Sequence, residues 1–236
     1  MTDIFGRALL DYIKGSYQED ITTYISLDEK DVLSLPYLFR SFDQMPIIEQ
    51  QALLMSRGKI LDVGCGAGSH SLYLQENGLE VIALDQSPGA IETCTIRGLT
   101  NVVCTDFMGY SGTKFDTILL LMHGIGMAET LAGLEGFLIH LKSLLKPGGQ
   151  VLLDSSDIIY MFDRDEDGGY WIPGDVPYYG EVQFVTEYKG EKSDPFPWLY
   201  LDFNTLRESA TNNNLTCELV RSGPHFDYLA RLTNKS

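Results

Sequence analysis

Apolar residues recur along this chain with two different periods, and the change falls near residue 58. Before it the apolar positions form helical stripes: in IFGRALLDYIKG, positions 5, 9, 12 and 13 share a face, and MPIIEQQALLMSRG carries a second stripe over 47–55. The segment between them, LSLPYLFRSFDQMP, is too aromatic and apolar to be solvated throughout, so it is expected to fold over something. Residues 1–57 therefore read as an N-terminal helical cap packed on a core spanning 58–236.

From residue 59 short apolar runs alternate with helical segments: KILDVG, EVIALD (80–85), NVVCTD (101–106), FDTILLLM (115–122) and QVLLD (150–154). Near-continuous apolar strands separated by helices predict a parallel sheet covered on both faces. Ser87-Pro88 supplies an N-cap with proline in the first turn, and Asn77-Gly78 and Arg97-Gly98 supply helix stops. A crossover helix carries Leu131, Leu134, Leu138, Leu141 and Leu145 on one face and ends at Pro-Gly-Gly. Beyond it, within an aromatic insertion at about 158–200, EVQFVTEY (181–188) and PWLYLD (197–202) predict an extra β-hairpin. A helix capped near Asp202 and a final antiparallel pair, LTCELVRS and FDYLARLT, follow. The fold class expected is α/β, a doubly wound, mostly parallel sheet with N-terminal helices and a hairpin insertion.

Composition narrows the function. With 236 residues and 44% apolar content the chain can bury a full core. Seventeen Lys and Arg against 33 Asp and Glu leave a formal charge of −16, which repels phosphate backbones and disfavours nucleic acid as a partner. The longest apolar stretch is ILLLM at 118–122, and Asp3 and Asp11 stand where a secretory leader is basic and then apolar, so a cytoplasmic protein without a membrane span is expected. Cys65, Cys94, Cys104 and Cys217 lack metal-ligand spacing, and RDEDGG at 164–169 lacks that of a calcium loop; neither a disulfide nor a metal is expected.

The chemistry concentrates in KILDVGCGAGSHS, residues 59–71. A glycine turn after the first strand of such a sheet lets a ligand approach the backbone at a helix N-terminus. The dinucleotide pattern GxGxxG needs glycine where Ser69 stands, whereas GxGxG fits Gly64, Gly66 and Gly68, and no GxxxxGK[ST] occurs. Asp62 would face a pyrophosphate with like charge but suits backbone amides or a cationic amino group. A nucleotide-dependent oxidoreductase is thereby disfavoured. Asp85, 21 residues after Gly64, could grip two ribose hydroxyls or merely cap the next turn. Asp106 could accept from an adenine amine, with Phe107 as an apolar wall, or be an ordinary loop acid.

In ILDVGCGAG, in Asp85 closing VIALD, in Asp106 of CTDF, in FDTILLL and in LKPGGQVLL, the chain resembles the class I S-adenosylmethionine-dependent methyltransferases over roughly residues 58–155. The resemblance implies a Rossmann-like seven-stranded sheet with its last strand antiparallel, S-adenosylmethionine as cofactor and S-adenosylhomocysteine as product. It also implies that Gly64, Cys65, Gly66 and Gly68 pass under the methionine portion while Asp62 orients the turn. Asp85, with Gln86 beside it, holds the ribose, Asp106 and Phe107 meet the adenine, and Met122 lies near the methyl donor. Family members often close the site with an N-terminal helical segment, for which Tyr37, Phe39 and Arg40 are the candidates; Arg40 either meets the cofactor's carboxylate or is solvated.

Methyl transfer from a sulfonium is an in-line displacement, so the protein mainly supplies alignment and a dry site. A base is needed only for an acceptor that carries a proton. His123, at a strand end among glycines, is the candidate base, with a packed wall residue as the alternative. Asp154 and Asp157 read as turn acids, and His70, His140 and His225 as structural. The aromatics Tyr170, Trp171, Tyr178, Tyr179, Phe184, Tyr188, Phe196, Trp198 and Tyr200 suit a hairpin core or homodimer surface, or an acceptor held through ring faces, with Tyr178 and Tyr179 the nearest candidates. The expected function is methyl transfer to a small molecule, by exclusion: the fourth strand lacks the Asn/Asp-Pro-Pro-aromatic signature of base methylation and the acidity disfavours nucleic acid, with protein substrates left open. A catalytically silent S-adenosylmethionine-binding protein is the alternative.

Overall fold

The chain opens in the computed structural model, which describes residues 3–172, 174 and 176–235, with helix α1 (Ile4–Ile13), capped by the Asp3 carboxylate accepting from the Gly6 N–H. A hairpin follows, β1 (Ile21–Ile25) and β2 (Glu29–Leu33), before α2 (Leu35–Leu38) and α3 (Ile47–Met55). The expectation of helices and loops over 1–57 is corrected here. ITTYI is a β-branched and aromatic run suited to a strand, and its partner EKDVL is an exposed edge whose polarity reads as a loop. Helix α1 buries Ile4, Ala8 and Leu9, a face rotated from the 5-9-12-13 stripe.

The predicted alternation follows as β3 (Lys59–Val63), α4 (Ser69–Glu76), β4 (Glu80–Asp85), α5 (Pro88–Ile96), β5 (Val102–Cys104), β6 (Phe115–Leu120), α6 (Leu131–Leu144) and β7 (Leu145–Ser156). The last third holds β8 (Glu181–Tyr188), β9 (Glu191–Lys192), β10 (Phe196–Leu199), α7 (Phe203–Asn212), β11 (Leu215–Ser222) and β12 (Asp227–Asn234). The seven-stranded sheet has the order β11-β12-β7-β6-β3-β4-β5. Strand β12 pairs antiparallel with both neighbours while β7-β6, β6-β3, β3-β4 and β4-β5 are parallel, so the last strand alone is reversed.

Strand side chains alternate between two cores. Leu61, Ile118, Leu120, Val151 and Leu153 face α6 and α7, while Ile60, Leu119 and Leu152 face α3 and α4. Burial on both faces is what makes these strands read as continuous apolar runs. Ser87 caps α5 by accepting from the Ala90 N–H, and Asp202 caps α7 by accepting from Asn204 and Thr205, as predicted. The expected hairpin insertion is larger than a hairpin. Strands β8 and β10 join the N-terminal hairpin in a second antiparallel sheet, β10-β8-β1-β2, with β9 on β8. Phe184, Phe196 and Trp198 lie close together in that sheet, and Tyr188 is fully buried in a cluster with α1, α2 and β1.

Helix α1 is seated against α5. A Cβ on Gly89 would fall 2.5 Å from the Gly6 carbonyl carbon, so the two backbones touch where neither carries a side chain. The Asp3 carboxylate bridges the junction, accepting from Ser87 Oγ at 2.8 Å and from the Gly89 N–H at 2.9 Å. The sequence pattern does not announce this contact, which lays the N-terminal cap across the carboxyl ends of β3 and β4.

Candidate active site

The turn after β3 is held by its neighbours. The Gly64 and Cys65 N–H groups donate to the Leu84 carbonyl at 2.8 and 3.0 Å, and Gly64, Gly66 and Gly68 all take left-handed φ values of 72°, 53° and 82°. Gly64 and Gly66 differ from Gly68 in what surrounds them. A Cβ at Gly64 would meet only the Met127 side chain at 3.7 Å, and one at Gly66 only the Phe5 ring at 3.8 Å. One at Gly68 would strike Leu99 and Cys94 at 2.7 and 2.8 Å, so that glycine serves the packing of α4 on α5. The cradle thus consists of Gly64 and Gly66, roofed by Phe5 and Met127. Cys65 is buried with its thiol 3.7 Å from that of Cys94, which raises its pKa together with burial.

Asp85 fastens the turn: one oxygen accepts from the Gly66 N–H and the other from the Ser87 N–H, both at 2.9 Å. Asp62, expected to orient the turn, instead accepts from Ser71 Oγ at 2.6 Å and ties β3 to the first turn of α4. Burial raises both carboxyls above the usual range. Asp106 is exposed and its side chain does not cap the short turn it precedes, whereas Phe107 is buried against Phe137 and His140 instead of forming an open wall. Gln86 is exposed beside Asp85.

Just past the carboxyl end of β6 the backbone is strained. Met122 and His123, neither of them glycine, have φ of 58° and 61°. Met122 packs into the cluster of the N-terminal cap with Leu35, Leu38 and Phe39. The His123 N–H donates to Asp154 Oδ1 at 3.0 Å, its Nε2 lies 2.9 Å from Ser156 Oγ, and its ring meets Tyr200 edge-on at 5.2 Å. Asp154 is therefore no turn acid: it is buried within β7, and that burial pushes its pKa up to about 6 against the pull of His123. Asp157 accepts from the Ile159 N–H and the Tyr179 hydroxyl.

Arg40 of the cap and His70 of α4 converge on Glu49 of α3, a residue that sequence reasoning passed over. Arg40 pairs with Glu49, the His70 ring lies 2.8 Å from the same carboxylate, and all three are buried. Burial raises the Glu49 pKa, but His70 and Arg40 outweigh it and hold the carboxyl below its ordinary value. Arg40 is thus not solvated: it also donates to the Tyr37 carbonyl at 2.7 Å and stacks 3.9 Å over the Tyr37 ring. A charged glutamate in the middle of an apolar stripe was the one available signal.

Not every candidate gathers here. Phe39 packs on Tyr12 and under Arg97 at the α1–α5 side. Tyr178 donates to Asp202 at 2.8 Å and accepts from its N–H, so its hydroxyl is occupied by the α7 cap. Tyr200, singled out only as one aromatic among nine, is the ring that reaches His123.

Against this geometry the comparisons with known proteins are clear. A family model described as a methyltransferase domain matches residues 40–189. A structure of an S-adenosylmethionine-dependent methyltransferase from Bacteroides fragilis, in complex with S-adenosyl-L-homocysteine, superposes with a TM-score of 0.91 at 40% identity, covering 99% of this chain and 95% of its own. The chain belongs to the methyltransferase-domain family, and within it to the S-adenosylmethionine-dependent methyltransferases. Among curated relatives, a 2-heptyl-1-hydroxyquinolin-4(1H)-one methyltransferase from Mycobacteroides abscessus is 38% identical over 84 residues, 32% of this chain and 35% of its own. A ubiquinone biosynthesis O-methyltransferase from Chelativorans sp. is 31% identical over 98 residues, 39% of this chain and 37% of its own. The chain matches little more than a third of the length of these two relatives. No helix among the described residues is long and apolar enough to cross a membrane.

Proposed function

We propose that the protein transfers a methyl group from S-adenosylmethionine to a small-molecule acceptor and that His123 receives the acceptor's proton. The observation that carries the reading is the open left-handed cradle of Gly64 and Gly66, pinned by Asp85, with His123 in the strained turn that follows the neighbouring strand β6. The cradle fits the cofactor: Gly64 and Gly66 leave backbone accessible where a side chain would fill the space, and a carboxylate, not a cation, stands at the end of β4. When bound, S-adenosylmethionine supplies an electrophilic methyl on a sulfonium, so little covalent chemistry is left to the protein.

The chain's residues then divide the work of binding, alignment and proton transfer. Gly64 and Gly66 let the methionine portion lie against the backbone; Asp85, already fixed by two amides, offers its remaining lone pairs to the ribose; exposed Asp106 accepts from the adenine amine. Arg40 Nε is buried without a partner among the described residues, which supports its role as a donor to the cofactor's carboxylate. Met122 and Phe5 exclude water from the reacting centre. His123, oriented by Ser156 and by the Asp154 bond to its own backbone, takes the proton through the ring nitrogen that Ser156 leaves free.

The test pairs binding with turnover. Calorimetric titration with S-adenosylhomocysteine should give saturable binding, and wild-type enzyme incubated with S-adenosylmethionine and a metabolite extract should form a methylated product. His123→Asn should lower the rate by about 10²-fold or more with cofactor affinity unchanged. Absence of cofactor binding would refute the reading, and a normal rate in the variant would remove His123 from proton transfer.

A further inference from the structure

The second sheet turns a row of aromatic rings toward the end of β6. Its register pairs Phe184 with Phe196 and Ile25, and Trp198 with Val182, so these residues share one face. Phe184 lies 6.0 Å from Phe196 and 6.3 Å from both Trp198 and Tyr200, and Tyr200 in turn meets His123 at 5.2 Å. The Trp198 indole rests on Gly126, where a Cβ would fall 2.1 Å from the ring, so the row is locked to the turn that bears His123. Phe184, Phe196, Trp198 and Tyr200 are only half-buried, and their rings are not consumed by the core.

The charge around this row has one sign. Asp31 pairs with Thr23, and Thr23 with Thr186, which places Asp31 on the same face as Phe184. Asp31, Asp154 and Tyr160 all act on Tyr200, whose pKa burial pushes up to about 12 with no hydrogen bond contributing. Cations are directed elsewhere. Lys30 and Lys192 approach Tyr24, whose pairing with Val185 puts it on the opposite face, Arg7 pairs with Glu191, and Arg40, paired with Glu49, is assigned to the cofactor's carboxylate and not to the acceptor. An anionic acceptor would meet carboxylates without a compensating charge, while a cation would meet ring faces and carboxylates together.

Building on the proposed methyl transfer, we propose that Phe184, Trp198 and Tyr200 hold the acceptor against His123, and that the acceptor is a ring-bearing amine that enters as its ammonium ion and is methylated on nitrogen. The bound ammonium first gives one proton to the free ring nitrogen of His123, which exposes the nitrogen lone pair. That pair forms the new N–C bond as the S–C bond breaks and its electrons return to sulfur. The product leaves as a methylated ammonium, and His123 releases its proton to water.

The experiment uses Trp171→Phe protein, in which Trp198 is the sole remaining indole of the two in the chain, so that its emission reports on the ring row. The protein, loaded with S-adenosylhomocysteine, is titrated at pH 7.5 with benzylamine, benzyl alcohol and benzoate. Benzylamine should change the Trp198 emission saturably, with half-saturation about tenfold or more below that of benzyl alcohol, and benzoate should give no response. Asp31→Asn, a substitution at an exposed position, should shrink the advantage of the amine about threefold or more and leave the alcohol unaffected. Equal binding of amine and alcohol, preference for benzoate, no saturable response from any of the three, or an unchanged preference in Asp31→Asn would overturn the inference. Calorimetry of S-adenosylhomocysteine on the same sample separates the two failures: binding without amine preference defeats this inference alone, whereas no binding defeats the methyltransfer reading as well.

Discussion

Asp154→Asn offers a test in which sign and size both follow from burial. The Asp154 side chain is 3% exposed, and its Oδ1 accepts the His123 N–H, a role the asparagine oxygen can keep. Burial raises its pKa from 3.8 in the unfolded chain to about 6, so the folded state binds this proton more tightly than the unfolded one does. Stability from this group is fully present below pH 3.8 and is lost as pH rises through about 6. With those two values the ionised carboxylate costs the folded state about 3 kcal/mol at pH 8 and about 1.5 kcal/mol at pH 5. Asparagine never ionises and escapes that cost. Urea unfolding of wild type and variant at both pH values should show the variant more stable at pH 8 by an amount that falls by about half at pH 5. A pH-independent difference, or a variant less stable at both, would refute the assignment of a strained buried carboxylate.

Three further substitutions probe the cap and the cradle. Glu49→Gln leaves Arg40 buried without its counter-charge and should cost about 3–5 kcal/mol in urea unfolding; a loss below about 1 kcal/mol would show that the pair is not desolvated. Gly89→Ala forces a methyl against the Gly6 backbone and should destabilise by about 1–3 kcal/mol. Because α1 carries Phe5 to Gly66, the same variant should bind S-adenosylhomocysteine more weakly in calorimetry, and unchanged affinity would detach the cap from the site. Asp85→Asn keeps one amide bond and should weaken S-adenosylhomocysteine binding by about 10- to 100-fold at a temperature where circular dichroism shows the variant folded; an unaltered affinity would deny it the ribose.

Much of the candidate site was legible because its residues lie at strand ends. Apolar runs located β3, β4, β6 and β7, and parallel strands place whatever follows them on one rim, so Gly64, Gly66, Asp85 and His123 could be gathered without coordinates. Residues whose roles depend on distant partners were not legible. Asp154 read as a turn acid because β7 runs to Ser156, two residues past the apolar stretch, and only that extension buries it. Glu49 drew no reading from the sequence, because its role appears only where α3 packs it against Arg40 and His70.

The sequence by itself determined the doubly wound sheet, the helix caps, the glycine turn and the family, because periodicity, capping and turn chemistry are local and recur within a few residues. Tertiary structure decided that residues 21–33 and 181–199 form one sheet, that α1 closes on α5 at Gly6 and Gly89, and that Tyr200 meets His123. Those contacts join segments as many as 165 residues apart in pairings such as Thr22 with Glu187, and no local pattern encodes which distant surface a half-buried strand or glycine will find.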